Sequence, residues 1–231
     1  MRGLFVTATD TGVGKSVLSA ALLAAMAAAG EPVRAYKPVV TGLDDAREIA
    51  ARGAWPPDHE LLASVAGMQP EQVSPLRFGP AVSPHLAAEL AGTRIELEQL
   101  LDTARSLASG HTLVVEGVGG LLVPLNERET VCDFAAALRL PVVIAARSGL
   151  GTINHALLTL RAARAAGLDV RALVLTPWPR RPDVIERSNR ETLTRLGQVE
   201  VVTLEHIRAP APAELALAGA RLPWAKWLRD G

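Results

Sequence analysis

The sequence predicts an α/β fold: a doubly wound, mainly parallel sheet with helices on both faces. Short apolar runs alternate with helical patterns along most of the 231 residues, and this alternation is typical of βαβ units. Glycine-rich turns follow several of the runs, where strand-to-helix connections belong. Parallel strands covered on both faces are buried, which explains why the runs are continuously apolar.

The predicted elements follow from this alternation. We predict strands at residues 4–6, 33–36, 112–115, 142–146, 170–175 and 199–204. We predict helices at residues 17–29, 58–66, 84–90, 95–108, 131–138, 153–166, 182–196 and 213–220. Asp58 and Ser83 are candidate N-caps, and Pro84 suits a first helical turn. Residues 39–84 are otherwise irregular and rich in Pro and Gly. We expect one domain over residues 1–231.

Composition limits the classes of function. Lys and Arg together number 24, as do Asp and Glu, and this balance argues against nucleic acid or an anionic membrane as the main partner. The apolar stretch at residues 17–29 is too short to span a bilayer. The N-terminal sequence lacks the pattern of a signal peptide. The single cysteine, Cys132, allows no internal disulfide. We therefore expect a cytoplasmic protein.

The turn after the first strand predicts a phosphate site. Residues 8–16 read ATDTGVGKS, close to the motif G-x-x-x-x-G-K-[ST], although Thr9 stands at the first glycine. In such a loop the backbone N–H groups cradle phosphates, Lys15 neutralises them and Ser16 reaches Mg²⁺. A tight strand-to-helix turn is the alternative reading of the glycines. The context favours a P-loop NTPase-type site, with these nucleotide-binding residues: Gly12, Val13, Gly14, Lys15, Ser16 and Val17.

Other unusual residues follow other predicted strands. Lys37 ends the second strand and is one of three lysines in a chain that otherwise uses Arg. Glu116 ends the third strand, before the glycine-rich turn 117–120, and residues 149–154 form a similar turn after the fourth. Because parallel strands share one carboxyl edge, we expect one active site there. Glu116 and Asp58 are candidate Mg²⁺ ligands, with an ion pair and a helix cap as their respective alternatives.

Several segments together resemble dethiobiotin synthetases. They are TDTGVGKS at 9–16, YKP at 36–38, TG at 41–42, SPH at 83–85, EGVGG at 116–120 and GLGTINH at 149–155. The resemblance covers residues 2–196. It implies ATP- and Mg²⁺-dependent ring closure on 7,8-diaminononanoate with CO₂ in biotin synthesis, through a carbamate and a carbamic–phosphoric anhydride. It also implies a homodimer, with the substrate site near the subunit interface.

The same resemblance implies roles for individual residues. For catalysis it implies Lys37, Lys15 and Thr11, with Lys37 between the carbamate and the γ-phosphate. For Mg²⁺ it implies Ser16, Asp58 and Glu116. To the nucleotide-binding residues of the loop it adds Glu116, Gly119 and Thr176. For the substrate it implies Thr11, Lys37, Thr41, Ser83, Gly117, Gly151, Thr152 and Asn154.

Three departures from the family pattern leave the nucleotide preference and one substrate contact open. Thr176 stands where the family often has an Asn that reads the adenine edge, and residues 202–205 lack a Gly-x-Ile-Pro-like segment. Asn189 lies near a position where some members have a Tyr. Two other functions stay as alternatives: a related ATP-dependent amidoligase, and a nucleotide-dependent switch ATPase. The switch class is disfavoured because no second lysine stands near Thr9.

Overall fold

A computed structural model describes residues 1–53 and 55–229. Its strands are β1 (Gly3–Ala8), β2 (Val33–Tyr36), β3 (Val39–Val40), β4 (Leu76–Arg77), β5 (Thr112–Glu116), β6 (Val142–Ala146), β7 (Val170–Trp178) and β8 (Glu200–Glu205). Its helices are α1 (Lys15–Ala28), α2 (Ala46–Arg52), α3 (Asp58–Ala66), α4 (Pro70–Val73), α5 (Pro84–Leu90), α6 (Leu97–Leu107), α7 (Val131–Leu138), α8 (Thr152–Ala165), α9 (Val184–Gly197), α10 (Pro212–Gly219) and α11 (Trp224–Trp227).

Six strands form the main sheet, in the order β2-β5-β1-β6-β7-β8. Every pairing in this sheet is parallel; Phe5, for example, pairs with Val115 on one side and Val142 on the other. The predicted fold class is therefore confirmed. The central strand β1 is buried along its whole length, as expected for a sheet with helices on both faces.

Each face of the sheet has its own apolar core. Successive residues of a strand point to opposite faces, so Leu4 and Val6 pack with α1, α3 and α10, whereas Phe5 packs with α6, α7, α8 and α9. On that second face the rings of Phe5 and Phe134 meet edge to face, with centroids 5.9 Å apart. The two cores hold β1, and with it the turn that follows β1, in a fixed position.

Several boundaries differ from the predicted ones. The helix predicted from residue 182 begins at Val184, because the Asp183 carboxylate accepts hydrogen bonds from the backbone N–H groups of Ile185 and Glu186. Strand β7 continues to Trp178 instead of ending at residue 175. Asp58 is not an N-cap: Pro57 occupies that position, and Asp58 is the first residue of α3.

The segment 39–84 contains structure that the sequence did not predict. Val39 and Val40 pair in parallel with Leu76 and Arg77 as a separate two-stranded sheet. Asp45 caps α2 by accepting hydrogen bonds from two backbone N–H groups of its first turn. This segment folds over one end of the main sheet's carboxyl edge and supplies part of the site described next. Among the described helices, none combines the length and apolar character needed to cross a bilayer.

Candidate functional site

The phosphate loop connects β1 to α1 and has the backbone that its glycines permit. Gly12 and Gly14 have φ angles of 69° and 92°, in the left-handed region that favours glycine. A Cβ atom on Gly14 would also lie 3.2 Å from the hydroxyl oxygen of Thr176, a tight contact that adds to the strain of the φ angle. The turn places Lys15 at the first position of α1, where N–H groups and helix dipole favour an anion.

A cavity of about 570 Å³ opens beside this loop. Three of the four predicted turns contribute to it, namely those that follow β1, β2 and β5. The segment 39–84 closes the remaining side. The residues that line the cavity are Thr11, Gly12, Gly14, Lys15, Ser16, Val17, Lys37, Val40, Thr41, Gly42, Glu48, Ala51, Asp58, Ala81, Val82, Ser83, Pro84, Val118, Gly119 and Val123.

The cavity is bordered by a network of paired charges, which we call the charged wall (Lys15, Ser16, Lys37, Asp58 and Glu116). The first four of these residues line the cavity, whereas Glu116 is fully buried behind them. Glu116 Oε1 accepts hydrogen bonds from Lys15 Nζ at 3.2 Å, from Lys37 Nζ at 2.7 Å and from Ser16 Oγ at 2.8 Å. Lys37 also pairs with Asp58. The first residue of α3 thereby reaches the end of β2, and five side chains from four elements meet.

Burial controls the electrostatics of the charged wall. Burial lowers the pKa of Lys15 by more than the Glu116 charge raises it. Burial acts in the same direction on Lys37, but the carboxylates of Asp58 and Glu116 outweigh it and raise the pKa of that amine. The two lysines in turn hold the pKa values of Asp58 and Glu116 below their usual range, although burial opposes this. Lys37, Asp58 and Glu116 are therefore held in their charged forms, whereas Lys15 gives up its proton more readily than an ordinary lysine.

The charged wall has a donor set that fits Mg²⁺. Glu116 Oε2 is buried and has no hydrogen-bond partner among the described residues, so one carboxylate oxygen is left for a ligand. With the Ser16 hydroxyl and the Asp58 carboxylate it forms an all-oxygen set of the kind Mg²⁺ takes, completed by phosphates and water. No group of three or more His, Cys, Asp or Glu side chains within the described ranges is arranged to hold a metal without such help.

Another part of the cavity lining, which we call the polar wall (Thr41, Gly42 and Ser83), carries the hydroxyl groups of Thr41 and Ser83. Thr41 and Gly42 follow β3, and Ser83 precedes α5. Helix α2 contributes Glu48 and Ala51 at its border. Thr41 and Ser83 are half-buried. Their hydroxyl groups can each donate or accept a hydrogen bond, which suits recognition of a polar substrate.

Several residues implied by the resemblance lie away from the lining that the structure describes. Gly151, Thr152 and Asn154 follow β6, on the far side of β1 from β2 and β5. Thr152 is buried, and its hydroxyl has no partner in the described part of the chain. Their predicted substrate contacts stay predictions.

Three other predicted contacts are buried behind the cavity. The space beside Gly117 is filled, because a Cβ there would lie 2.9 Å from a methyl group of Val131. Val13 and Thr176 are both buried, and Thr176 packs on the loop at Gly14. Packing thus explains each of these residues, and their predicted roles toward substrate and nucleotide stay predictions.

Sequence reasoning missed two features of the site. Glu48 lines the cavity from α2; Asp45, three residues before it, was a readable capping signal for that helix. Arg147, after β6, donates from Nη2 to the carbonyl oxygen of Thr11 at 3.2 Å. The sequence indicated this contact only by placing Arg147 at the same carboxyl edge of the sheet as the phosphate loop.

The fold and the phosphate loop define an α/β nucleotide-binding protein of the P-loop class. A family model described as an AAA domain matches residues 2–205. A ParA family ATPase from Chlorobium tepidum TLS has a similar structure, with a TM-score of 0.55, 16% sequence identity, and coverage of 95% of this chain and 91% of that one. At this identity the likeness concerns the fold alone.

Sequence relatives define the family more narrowly. A protein of Anaeromyxobacter sp. (strain K), named ATP-dependent dethiobiotin synthetase BioD, is 42% identical over 207 residues, covering 88% of this chain and 89% of the relative. A protein of the same name from Novosphingobium aromaticivorans is 38% identical over 228 residues, covering 96% and 98%. The chain belongs to the dethiobiotin synthetase family, and the resemblance inferred from its motifs is confirmed.

Proposed function

We propose that this protein is an ATP-dependent dethiobiotin synthetase, which uses CO₂ to close a cyclic urea on 7,8-diaminononanoate. The observation that carries the proposal is the meeting of two buried lysines, Lys15 and Lys37, at Glu116 beside the phosphate loop. One lysine suffices for a nucleotide phosphate. A second lysine supplies charge for a second anion, and a carbamate that attacks the γ-phosphate is such an anion.

The reaction proceeds in three steps. An amine of the substrate adds to CO₂, forming a C–N bond and releasing a proton, which leaves a carbamate. A carbamate oxygen then attacks the γ-phosphorus in line, and ADP departs, giving a carbamic–phosphoric anhydride. The second amine attacks the carbonyl carbon, closes the ring, and expels inorganic phosphate while a second proton leaves.

The charged wall and its neighbours position these groups, because phosphoryl transfer depends mainly on alignment and charge neutralisation. Lys15 holds oxygens of the β- and γ-phosphates. Lys37 lies between the carbamate and the γ-phosphate as negative charge moves from one to the other. Thr11 and Thr41 orient the reacting amine and the carbamate. Ser16, Asp58 and Glu116 would hold Mg²⁺, which would neutralise part of the triphosphate charge.

We further propose a homodimer in which the turn 149–154 of one subunit binds the carboxylate tail of a substrate seated in the other. Support comes from Gly151, Thr152 and Asn154, which lie outside their own cavity at the start of the 14-residue helix α8. A helix N-terminus favours an anion, and the buried Thr152 hydroxyl has no partner within the described residues.

An assay of diamine-dependent phosphate release tests the proposed function. Purified protein is incubated with ATP, Mg²⁺, bicarbonate and 7,8-diaminononanoate; phosphate is measured and dethiobiotin is identified by its mass. We expect one phosphate for each dethiobiotin, and only basal hydrolysis without the diamine. Phosphate release that does not respond to the diamine would contradict the proposal and favour a switch-type ATPase.

A further inference from the structure

Ser83 occupies a helix-capping position without acting as a cap. It stands at the N-cap of α5 with extended backbone, φ −62° and ψ 152°. A serine at this position ordinarily accepts a hydrogen bond from a backbone N–H of the first turn. Within the described residues, the Ser83 hydroxyl caps no N–H of α5. It lies instead 3.0 Å from Nδ1 of His85, two residues along the chain.

The two members of this pair face different surroundings. Ser83 is half-buried and lines the cavity, next to Val82 and Pro84. His85 is exposed and lies outside the cavity lining. The hydrogen bond to Ser83 therefore gives His85 a route by which it can influence a substrate bound in the cavity.

The imidazole determines what the hydroxyl offers to the cavity. A serine hydroxyl has one proton to donate and two lone pairs. If that proton is donated to an unprotonated Nδ1, the oxygen can only accept hydrogen bonds from a ligand. An acceptor suits an amino N–H and repels a carbamate or a phosphate. Anions instead have Lys15 and Lys37 on the charged wall, which leaves the Ser83 oxygen for an amino group.

We propose that His85 is a positioning residue that accepts a hydrogen bond from the Ser83 hydroxyl, so that the Ser83 oxygen in turn accepts a hydrogen bond from an amino group of the diamine substrate. The inference rests on the proposed function and deepens it, because it assigns the contact with an amine to Ser83 and gives His85, outside the cavity, the task of orienting that hydroxyl. It also explains why a serine with capping geometry leaves its helix uncapped.

The test compares four single variants and one double variant by steady-state kinetics and by calorimetric binding of the diamine. His85→Ala should raise KM for the diamine about tenfold, the effect of one hydrogen bond, and leave KM for ATP within about twofold. His85→Asn should recover most of this loss, because its short amide presents an oxygen near the place of Nδ1. His85→Gln, whose longer amide extends past that place, should not. Ser83→Ala should match His85→Ala, and the double variant should be no worse than either single variant.

Contrary results would overturn the inference in distinct ways. Multiplying losses in the double variant would show that Ser83 and His85 act separately. Equal losses for the diamine and ATP, or equal activity of His85→Asn and His85→Gln, would reduce His85 to a structural role; thermal unfolding of each variant detects a misfolded one. Normal wild-type turnover with an unaffected His85→Ala overturns this inference alone, whereas a wild type that forms no dethiobiotin overturns the proposed function as well.

Discussion

The charged wall and the polar wall face the same cavity but are built in different ways. The charged wall takes Lys15 and Ser16 from the start of α1 and Lys37 and Glu116 from strand ends, with Asp58 as its one residue from the segment 39–84. Its lysines are only 8% and 3% exposed. The polar wall comes from the segment 39–84, where a two-stranded sheet and short helices carry half-exposed hydroxyl groups. One side is fixed by the core of the molecule, and the other is an addition to it.

This difference suggests a division of labour between reaction and recognition. Buried charges in a rigid frame are already oriented and need little reorganisation when charge moves, which is the condition for electrostatic catalysis. Hydroxyl groups on a peripheral segment contribute single hydrogen bonds, each of modest free energy. Changes in the charged wall should therefore affect turnover and stability strongly, whereas changes in the polar wall should affect substrate affinity moderately.

Removal of the Lys37 charge should have the largest effect. We expect Lys37→Met, which keeps the length of the side chain, to lower kcat by about a thousandfold or more, as loss of a transition-state cation does in phosphoryl transfer. Nucleotide affinity should change by less than about threefold, because Lys15 and the loop hold the phosphates. Rapid-quench assays and nucleotide titration measure the two quantities.

Lys226→Met is the matched control for this prediction. Lys226 is exposed and pairs with Glu200 far along the chain, so its loss should leave kcat unchanged. If Lys37→Met has the same kcat as this control, Lys37 takes no part in the chemistry. The charged wall would then affect turnover no more than the polar wall does.

Glu116→Gln should destabilise the protein by about 3 kcal/mol, because it leaves buried lysines without their common counter-charge. Urea denaturation of the ligand-free protein gives this free energy of unfolding. The matched control is Glu71→Gln, which breaks the exposed ion pair between Glu71 and Arg77 and should leave the free energy of unfolding nearly unchanged, because solvent screens that pair. Equal losses in both variants would mean that the network contributes no more than a surface ion pair.

The Asp58→Asn variant tests the same network through the pH dependence of the free energy of unfolding. The lysines hold the Asp58 pKa below its ordinary value of 3.8 in the folded protein, so the stability it contributes is present above that value and declines as pH falls below it. We expect Asp58→Asn to be less stable than the wild type at pH 7, with a gap that narrows below about pH 4. Denaturation curves between pH 3 and pH 8 measure the gap; a gap that widens in acid would reverse the sign of the argument.

The same division explains what could be predicted from sequence. Lys37 and Glu116 were identifiable because each ends an apolar run, and the carboxyl ends of parallel strands share one edge. Strands β3 and β4 have two residues each, and their paired residues are 37 positions apart in the chain, so no local periodicity predicts them.

The turn 149–154 shows a second limit of sequence reasoning. The chain order indicates that this turn belongs to the carboxyl edge of the sheet, but only the strand order shows where along that edge it lies. With β6 on one side of β1 and β5 and β2 on the other, Gly151, Thr152 and Asn154 fall outside the cavity that they were expected to share. A sequence pattern indicates that a turn lies at the carboxyl edge of the sheet, whereas the order of the paired strands determines where along that edge the turn lies.

On the polar wall, Thr41→Val should raise KM for the diamine about tenfold while KM for ATP stays within about twofold, because one hydrogen bond is lost and the shape is kept. Thr194→Val, which removes an exposed hydroxyl bonded to the Arg190 carbonyl, is the control and should change neither constant. A hundredfold fall in kcat for Thr41→Val would place reaction chemistry on the polar wall and break the proposed division.

The smallest expected effect is the preference of the protein for one nucleotide base over another. Thr176 is 2% exposed and packs against Gly14, so its hydroxyl is poorly placed to pair with a base edge. A site that hydrogen-bonds the base should favour the correct nucleotide over the others by about 10⁴ or more in kcat/KM. Because Thr176 does not provide such a hydrogen bond, we expect kcat/KM for ATP to exceed that for CTP or GTP by less than about tenfold. Thr176→Val should leave these ratios within about twofold. A wild-type preference above a thousandfold would mean that other groups read the base, and recognition would then extend to both sides of the cavity.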